Sequence, residues 1–185
     1  MLEVVDESGH VISQESRKAI HKQGLLHREV HVWLYTPDGK LIFQHRAKDK
    51  DTYPNLLDAS VGGHVEIGDD WQTTAIKELA EETGINAEPE QLRYVGQTHS
   101  TTYDHGTGLT NNALRRIFAL RYDKDLGNLQ IEEGKSLGFE AWFFETLFNI
   151  TDEQLQRFIP MIFEDWHMEI VRKIHSLYLS DIGQK

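Results

Sequence analysis

The sequence predicts an α/β fold in which a mixed β-sheet is flanked by helices. Strand-like runs rich in β-branched and aromatic residues make up most of the chain before residue 150. One strongly helical segment interrupts these strands, and the chain from residue 151 onward has helical periodicity. Strands, a helix, more strands and terminal helices, in that order, are typical of a sheet covered by helices.

The first elements follow from strand, cap and turn signals. The segment LEVVDESGHVI predicts a strand, a turn and a returning strand, and SQESRKAIHKQG predicts a short helix. Either Ser13 or Ser16 would cap that helix, and Gly24 would end it. The runs EVHVWLYT and LIFQHRA flank the turn sequence PDGK, so we expect them to form a hairpin.

The next elements include the strongest helix signal of the chain. The loop YPNLLDASVGG leads into a strand, and DDWQTTAIKELAEETG predicts a helix that starts at Asp69 or Asp70 and ends at Gly84. Further strands are expected in LRYVGQTHS, ALRRIFALRY and FEAWFFE.

The last segment, TDEQLQRFIPMIFEDWHMEIVRKIHSLYL, predicts helices, with Pro160 as a break or a new helix start. Its apolar residues would cover either the core or a partner subunit in a possible homodimer; they are Phe158, Met161, Ile162, Phe163 and Trp166.

Composition excludes several classes of protein. With 185 residues, 39% hydrophobic and 26% charged, the chain has the size and composition of one globular domain. Its net charge of −11 argues against nonspecific nucleic-acid binding and against docking on anionic membranes. The chain has no cysteine, which excludes disulfides, thiolate nucleophiles and thiolate metal sites. No apolar run reaches the ~20 residues of a membrane span, and MLEVVDESGH is not a signal peptide, so we expect a cytoplasmic protein.

Three glutamates share one face of the central helix. Glu78, Glu81 and Glu82 are spaced i, i+3 and i+4, which places them within an arc of ~100°. The opposite face would pack on the core through Ile76, Leu79 and Ala80. An acidic stripe of this kind is either an ordinary solvated surface or a site for Mg²⁺ or Mn²⁺, which removes the repulsion between the carboxylates.

Glycines before the helix favour the metal site over the solvated surface. Gly62, Gly63 and Gly68 allow the backbone to come close to an ion or a phosphate. A glycine loop that leads into a helix start also presents free backbone N–H groups.

The segment that contains these residues resembles the Nudix box, G-x5-E-x7-R-E-U-x-E-E-x-G-U, where U is a bulky apolar residue. The matching residues are Gly63, Glu78, Leu79, Glu81, Glu82, Gly84 and Ile85. Asp69 stands where the family has glutamate, and Lys77 where it has arginine. In the family this pair braces the loop against the helix, and lysine cannot make the planar two-pronged contact of arginine. We therefore expect a looser brace.

The resemblance implies a single Nudix domain over residues 1–185, built as an α/β/α sandwich. We expect an N-terminal extension at 1–27, a core at 28–148 and C-terminal helices at 151–180. The implied activity is cleavage of a pyrophosphate bond in a nucleoside diphosphate linked to another group, or in a related diphosphate, with Mg²⁺ or Mn²⁺ as cofactor. The implied partner is therefore a small nucleotide or diphosphate.

The resemblance also assigns roles to residues. Catalytic roles fall to Glu78, Glu81, Glu82 and Lys77, and the metal ligands would be the three glutamates with Gly62 and Glu66. Substrate contacts fall to His64, Arg46 and Lys50, and loop support to Gly63, Asp69 and Gly84.

The region before the box, from LLHREV to VGGHV, resembles type 1 isopentenyl diphosphate isomerases. His64 and His27 fall on histidine ligands of the isomerase metal site, and His21 lies about one residue from the third. The isomerase cysteine is replaced by Gly62, and its glutamate pair by Asn111 and Ala113. We therefore expect a hydrolase on an isomerase-like scaffold. The isomerase itself and a non-catalytic nucleotide-sensing Nudix domain are the alternatives.

Overall fold

The computed structural model describes residues 1–50 and 52–183. The helices are α1 (Arg17–Gln23), α2 (Trp71–Thr83), α3 (Phe144–Phe148), α4 (Asp152–Leu155) and α5 (Asp165–Gly183). The strands are β1 (Leu2–Val5), β2 (Val11–Glu15), β3 (His27–Tyr35), β4 (Lys40–Arg46), β5 (Leu57–Asp58), β6 (Val61–His64), β7 (Arg93–Asp104), β8 (Leu109–Arg121) and β9 (Ser136–Phe143). The predicted α/β fold and its order of elements are confirmed.

Strand β3 lies at the centre of the sheet. Within residues 1–50 and 52–183, nine strands form one mixed sheet. Strand β3 pairs in parallel with β8 from His27 to Tyr35, and in the antiparallel sense with β1, β4 and β6. Strand β8 also forms a long hairpin with β7, and β4 pairs with β5 and β9. The predicted hairpin around the PDGK turn is the β3–β4 pair.

Alternation along β3 builds the two layers of the core. Val30, Val32 and Leu34 belong to a buried cluster with residues of α2, whereas Trp33 and Tyr35 belong to a second cluster with residues of α5. Successive side chains of a strand point to opposite faces of its sheet. The sheet is therefore covered by α2 on one face and by α5 on the other, which gives the expected α/β/α sandwich.

Helix caps settle the alternatives that spacing leaves open. Ser16 caps α1 by accepting a hydrogen bond from the Ala19 N–H, and Asp70 caps α2 through the Thr73 N–H at 2.7 Å. Gly24 and Gly84 end these helices in the left-handed conformation, where glycine has no steric cost. Because Asp70 is the cap, the neighbouring Asp69 side chain is available for another contact.

The C-terminal helices cover the core. Phe158 and Ile162 are buried in the cluster beneath α5, so these apolar residues lie inside the subunit. Pro160 starts a short 3₁₀ helix, Pro160–Phe163, between α4 and α5. None of the helices in the described part of the chain is long and apolar enough to cross a bilayer.

The packing of α2 on the sheet gives a first prediction. Leu79 is fully buried in the cluster between α2 and β3, so Leu79→Ala would lower the free energy of unfolding by about 2–5 kcal/mol. Urea unfolding followed by circular dichroism measures this change. Leu179→Ala, on the outer side of α5 where the side chain is 48% exposed, is the control. Equal losses in the two variants would contradict this description of the core.

Candidate functional site

The turn between β6 and α2 brings a glycine backbone against the acidic helix face. A side chain at Gly63 would collide with the carboxyl group of Glu78. The Glu78 carboxylate therefore lies directly on the backbone of β6, and any larger residue at position 63 would displace it. This contact explains why the box has glycine at position 63.

Glu82 lies in the core and not on the outer surface of the helix. The helical wheel predicted that the carboxylates lie opposite the core face, but Glu82 is only 1% exposed and shares the inward face with Ala75 and Leu79. The prediction for Glu82 was wrong because the buried face of α2 is centred closer to Ala75 than to Ile76 and Ala80. This rotation of the helix brings Glu82 to the core side. The Gln44 amide donates a hydrogen bond to Glu82 Oε2 at 2.6 Å, and burial raises the pKa of Glu82.

A lysine lies between the buried carboxylates. Lys135 Nζ is 2.7 Å from Glu82 Oε1, 3.6 Å from Glu78 Oε2 and 3.2 Å from Glu132 Oε2. The Lys135 ammonium group is therefore the positive charge that compensates Glu82 Oε1 in the protein interior. A buried carboxylate oxygen that faces a positive charge occupies a position from which a carboxylate can bind a metal cation.

The oxygen donors around this point suit a hard divalent ion. We call Glu78, Glu81 and Glu82 the carboxylate cage. Burial, with the neighbouring Glu82 and Glu81 charges, raises the pKa of Glu78 to about 7. Glu81 is exposed at the edge of the cage, and the predicted further ligands Gly62 and Glu66 line the adjoining cavity. Carboxylate and carbonyl oxygens are the ligands that Mg²⁺ and Mn²⁺ prefer.

The predicted brace between loop and helix forms with the substituted residues. Lys77 Nζ lies 2.6 Å from Asp69 Oδ2, so the shorter acid and the lysine still make the contact. The Lys77 side chain is 52% exposed, and it makes one ion pair where arginine could make two parallel hydrogen bonds. The charge pair of the box is therefore preserved in this chain.

One large cavity connects the cage with the other predicted site residues. Its volume is about 1180 Å³, and its wall includes Glu78, Glu82, Lys50 and His64. Arg46 also lines it, but Arg46 donates to the carbonyls of Thr52 and Tyr53 and to Asp58 Oδ2 at 2.8 Å. Arg46 and Lys50 were both predicted to contact substrate. In this conformation Arg46 holds the loop before β5, whereas the Lys50 side chain is available to the cavity.

Three histidines meet beside the cavity, and two of them, His21 and His64, line it. His21, His27 and His64 can each direct one ring nitrogen so that these atoms lie within 4.8 Å of one another. His21 Nε2 is 3.2 Å from His64 Nε2, so the displacement of His21 by one residue does not remove it from the group. Burial lowers the pKa of His64 to about 3, which leaves the imidazole neutral and able to bind a metal.

Glu29 completes the histidine group from the central strand. Its Oε1 lies 3.3 Å from His27 Nε2 and 3.4 Å from His64 Nε2, and it accepts a hydrogen bond from Asn111 Nδ2 at 3.1 Å. Its Oε2 accepts from Arg115, whose Nε and Nη2 lie at 2.8 and 2.7 Å. Although burial alone would raise the pKa of Glu29, the Arg115 guanidinium holds that pKa well below its usual value.

Sequence reasoning missed Glu29, Gln44 and Lys135. Glu29 carried a weak signal, because it lies two residues from His27 and therefore on the same strand face. Gln44 is a polar residue in an otherwise apolar strand, which also hints at a buried partner. No feature of the sequence around Lys135 indicates a role in the site, because only the fold brings this residue to the cage.

Comparisons with known proteins identify the family and the fold of this chain. A family model described as NUDIX domain matches residues 25–158. An uncharacterized Nudix hydrolase of Clostridium acetobutylicum is 33% identical over 143 residues, which cover 71% of this chain and 69% of that protein. An isopentenyl-diphosphate Delta-isomerase of Serratia proteamaculans is 25% identical over 178 residues, or 94% of this chain and 90% of that one. The crystal structure of DR0079 from Deinococcus radiodurans has the same fold, with a TM-score of 0.62 at 22% identity over 80% of this chain and 86% of that one.

The buried Glu29–Arg115 pair gives a second prediction. Glu29→Gln leaves the Arg115 charge buried without its counter-charge, so it would lower the free energy of unfolding by about 3–5 kcal/mol. Chemical denaturation of the single and double variants measures the loss. Adding Arg115→Met to Glu29→Gln would restore part of the stability, because the uncompensated charge is gone. Strictly additive losses would contradict a coupled ion pair.

Proposed function

The chain belongs to the Nudix hydrolase family, and on that premise we propose that it cleaves a pyrophosphate bond beside the carboxylate cage. The single observation that carries this proposal is the position of the cage: Glu78 lies over Gly63, Glu82 faces the same Lys135 ammonium group, and both line a large cavity. The preserved contact between Asp69 and Lys77 favours a catalytic domain over a non-catalytic sensing domain, because the loop is still held against the helix.

The cage residues would bind the cofactor of the reaction. We assign Glu78 and Glu82 as ligands, with the Gly62 carbonyl and Glu66 as further ligands and the exposed Glu81 as a ligand or as the group that accepts a proton from water. A bound Mg²⁺ or Mn²⁺ ion would supply charge neutralisation for the phosphates and lower the pKa of a nearby water. Water adds to one phosphorus, the bridging P–O bond breaks, and the leaving phosphate keeps the bonding electrons.

The cavity supports a substrate of nucleotide size. Its volume of about 1180 Å³ exceeds the ~300–1,000 Å³ of ordinary small-molecule pockets. Lys50 faces it and would contact a phosphate, whereas Arg46 would act by holding the loop that carries Thr52 and Tyr53. We therefore propose a nucleoside diphosphate linked to another group as the substrate class.

The histidine group would bind a second cation. His21, His27 and His64 offer imidazole nitrogens, which suit zinc better than magnesium or manganese. Glu29 Oε1 lies beside the ring nitrogens of His27 and His64 and adds a carboxylate oxygen. This donor set differs from the cage, so the two groups would select different ions.

The Serratia relative suggests an alternative activity for this chain, the isomerisation of isopentenyl diphosphate. The residues of the site argue against it. Gly62 has no thiol to offer, and Asn111 and Ala113 provide no carboxylate. At these positions the site therefore offers no group to protonate one allylic carbon and deprotonate another.

A substrate panel tests the proposed hydrolysis. Nucleoside diphosphate sugars, ADP-ribose, dinucleoside polyphosphates and isopentenyl diphosphate would each be incubated with Mg²⁺ or Mn²⁺, and the products identified by mass spectrometry. We expect nucleoside monophosphate from at least one nucleotide and no dimethylallyl diphosphate. Glu82→Gln would lower kcat/KM by at least ~100-fold, and Glu81→Gln by a similar factor.

The control for these variants is Glu90→Gln, which removes one exposed carboxylate away from the cavity. It should keep wild-type activity. Absence of turnover across the whole panel with both metals would contradict the proposal, and so would an active Glu82→Gln variant.

Metal analysis tests the second cation. Protein dialysed against a mixture of Zn²⁺ and Mn²⁺ would retain one equivalent that His64→Ala loses and Glu82→Gln keeps, because the two donor sets share no residue. Inductively coupled plasma mass spectrometry measures the content. A His64→Ala variant with the same content as the wild type would refute a metal at the histidines.

A further inference from the structure

The ammonium group of Lys135 occupies the place where the cage is expected to hold a cation. It lies 2.7 Å from Glu82 Oε1 and 3.6 Å from Glu78 Oε2, and a third carboxylate, that of Glu132, lies at 3.2 Å. The Lys135 side chain is 29% exposed, so it is partly screened by protein on one side and open to the cavity on the other.

The backbone that carries Lys135 is held in place. The Lys135 N–H donates to the Glu132 carbonyl, and the Lys135 carbonyl accepts from the Ala47 N–H. Gln130 N–H donates to the Thr83 carbonyl at 2.9 Å, which fastens the start of this segment to the end of α2. The flexible part of Lys135 is therefore its side chain, which can leave the cage without movement of the loop.

A divalent ion and this ammonium group compete for the same oxygens. Magnesium and manganese bind carboxylate oxygens at ~2.0–2.2 Å, and a second cation within hydrogen-bonding distance of the same oxygen repels the ion strongly in a half-buried site. Glu82 Oε2 already accepts a hydrogen bond from Gln44. The metal ion and the Lys135 ammonium group would therefore both use Oε1.

We propose that Lys135 is a tethered cation that fills one position of the carboxylate cage, so that a divalent ion must displace it from Glu82. This inference rests on the proposed metal-dependent function. Lys135 thereby weakens metal binding in the resting protein and keeps the buried carboxylates compensated until the ion arrives. Once displaced, its ammonium group remains at the cavity wall, where a phosphate would lie.

A purely structural role for Lys135 makes the opposite prediction. If the lysine only shaped the cage, its removal would disorder Glu82 and weaken metal binding. If it competes with the ion, its removal strengthens metal binding even though the metal-free protein becomes less stable. The sign of the change in affinity therefore separates the two roles.

Manganese titration of the 185-residue chain tests this inference. Isothermal titration calorimetry at low ionic strength would compare the wild type with Lys135→Met, and Glu82→Gln would identify the equivalent that belongs to the cage. We expect Lys135→Met to bind that Mn²⁺ on the order of tenfold more tightly. Its metal-free melting temperature should fall, and Mn²⁺ should raise it by more than in the wild type.

Two matched variants complete the test. Lys135→Arg keeps the positive charge and should bind Mn²⁺ as the wild type does. Lys48→Met removes an exposed positive charge that does not line the cavity and should also leave the affinity unchanged. If Lys135→Met does not fold, Lys135→Gln provides the same comparison with a neutral polar side chain.

The outcomes separate this inference from the proposed function. Mn²⁺ affinity of Lys135→Met equal to or weaker than that of the wild type overturns the inference while hydrolysis can still stand. Tighter binding without turnover of any substrate supports the inference and counts against the hydrolase. Failure of both proteins to bind Mn²⁺ at the cage overturns both proposals.

Discussion

The burial of Glu82 on the inward face of α2 is the constraint on which the rest of the site depends. A carboxylate that is 1% exposed must find donors or a cation, because an isolated buried charge is very costly. Gln44 from β4 satisfies one oxygen and Lys135 lies against the other. The neighbouring Glu78 then requires a backbone without a side chain, which Gly63 provides. Four separate elements are thus fixed around one acidic residue.

Local features of the site could be read from the sequence, whereas contacts between distant elements could not. The i, i+3, i+4 spacing grouped Glu78, Glu81 and Glu82 on one helix, and the resemblance to the Nudix box paired Asp69 with Lys77, which the structure shows in contact. The caps of α1 and α2 follow from the same short-range chemistry.

The burial of Glu82 depends on how α2 is rotated on the sheet, which the helical period alone does not determine. Glu29 and Arg115 are 86 residues apart and meet only because β3 and β8 pair in parallel. Lys135 reaches the cage because β9 pairs with β4. The apolar residues around Pro160 left the core and a partner subunit equally plausible, and the fold places Phe158 and Ile162 in the core. Strand composition contains no information on such registers.

The parallel pairing of β3 with β8 also has a consequence for biosynthesis. The strand at the centre of the sheet leaves the ribosome long before its partner, since His27 pairs with Ala113 and Tyr35 with Arg121. Although β1, β4 and β6 can already pair with β3, the edge that β8 covers stays open. Contacts of high sequence separation form slowly, and an open apolar strand edge is prone to aggregate in the interval. The nascent chain is therefore most vulnerable between the emergence of β3 and that of β8, a period in which a chaperone would have the greatest effect on yield.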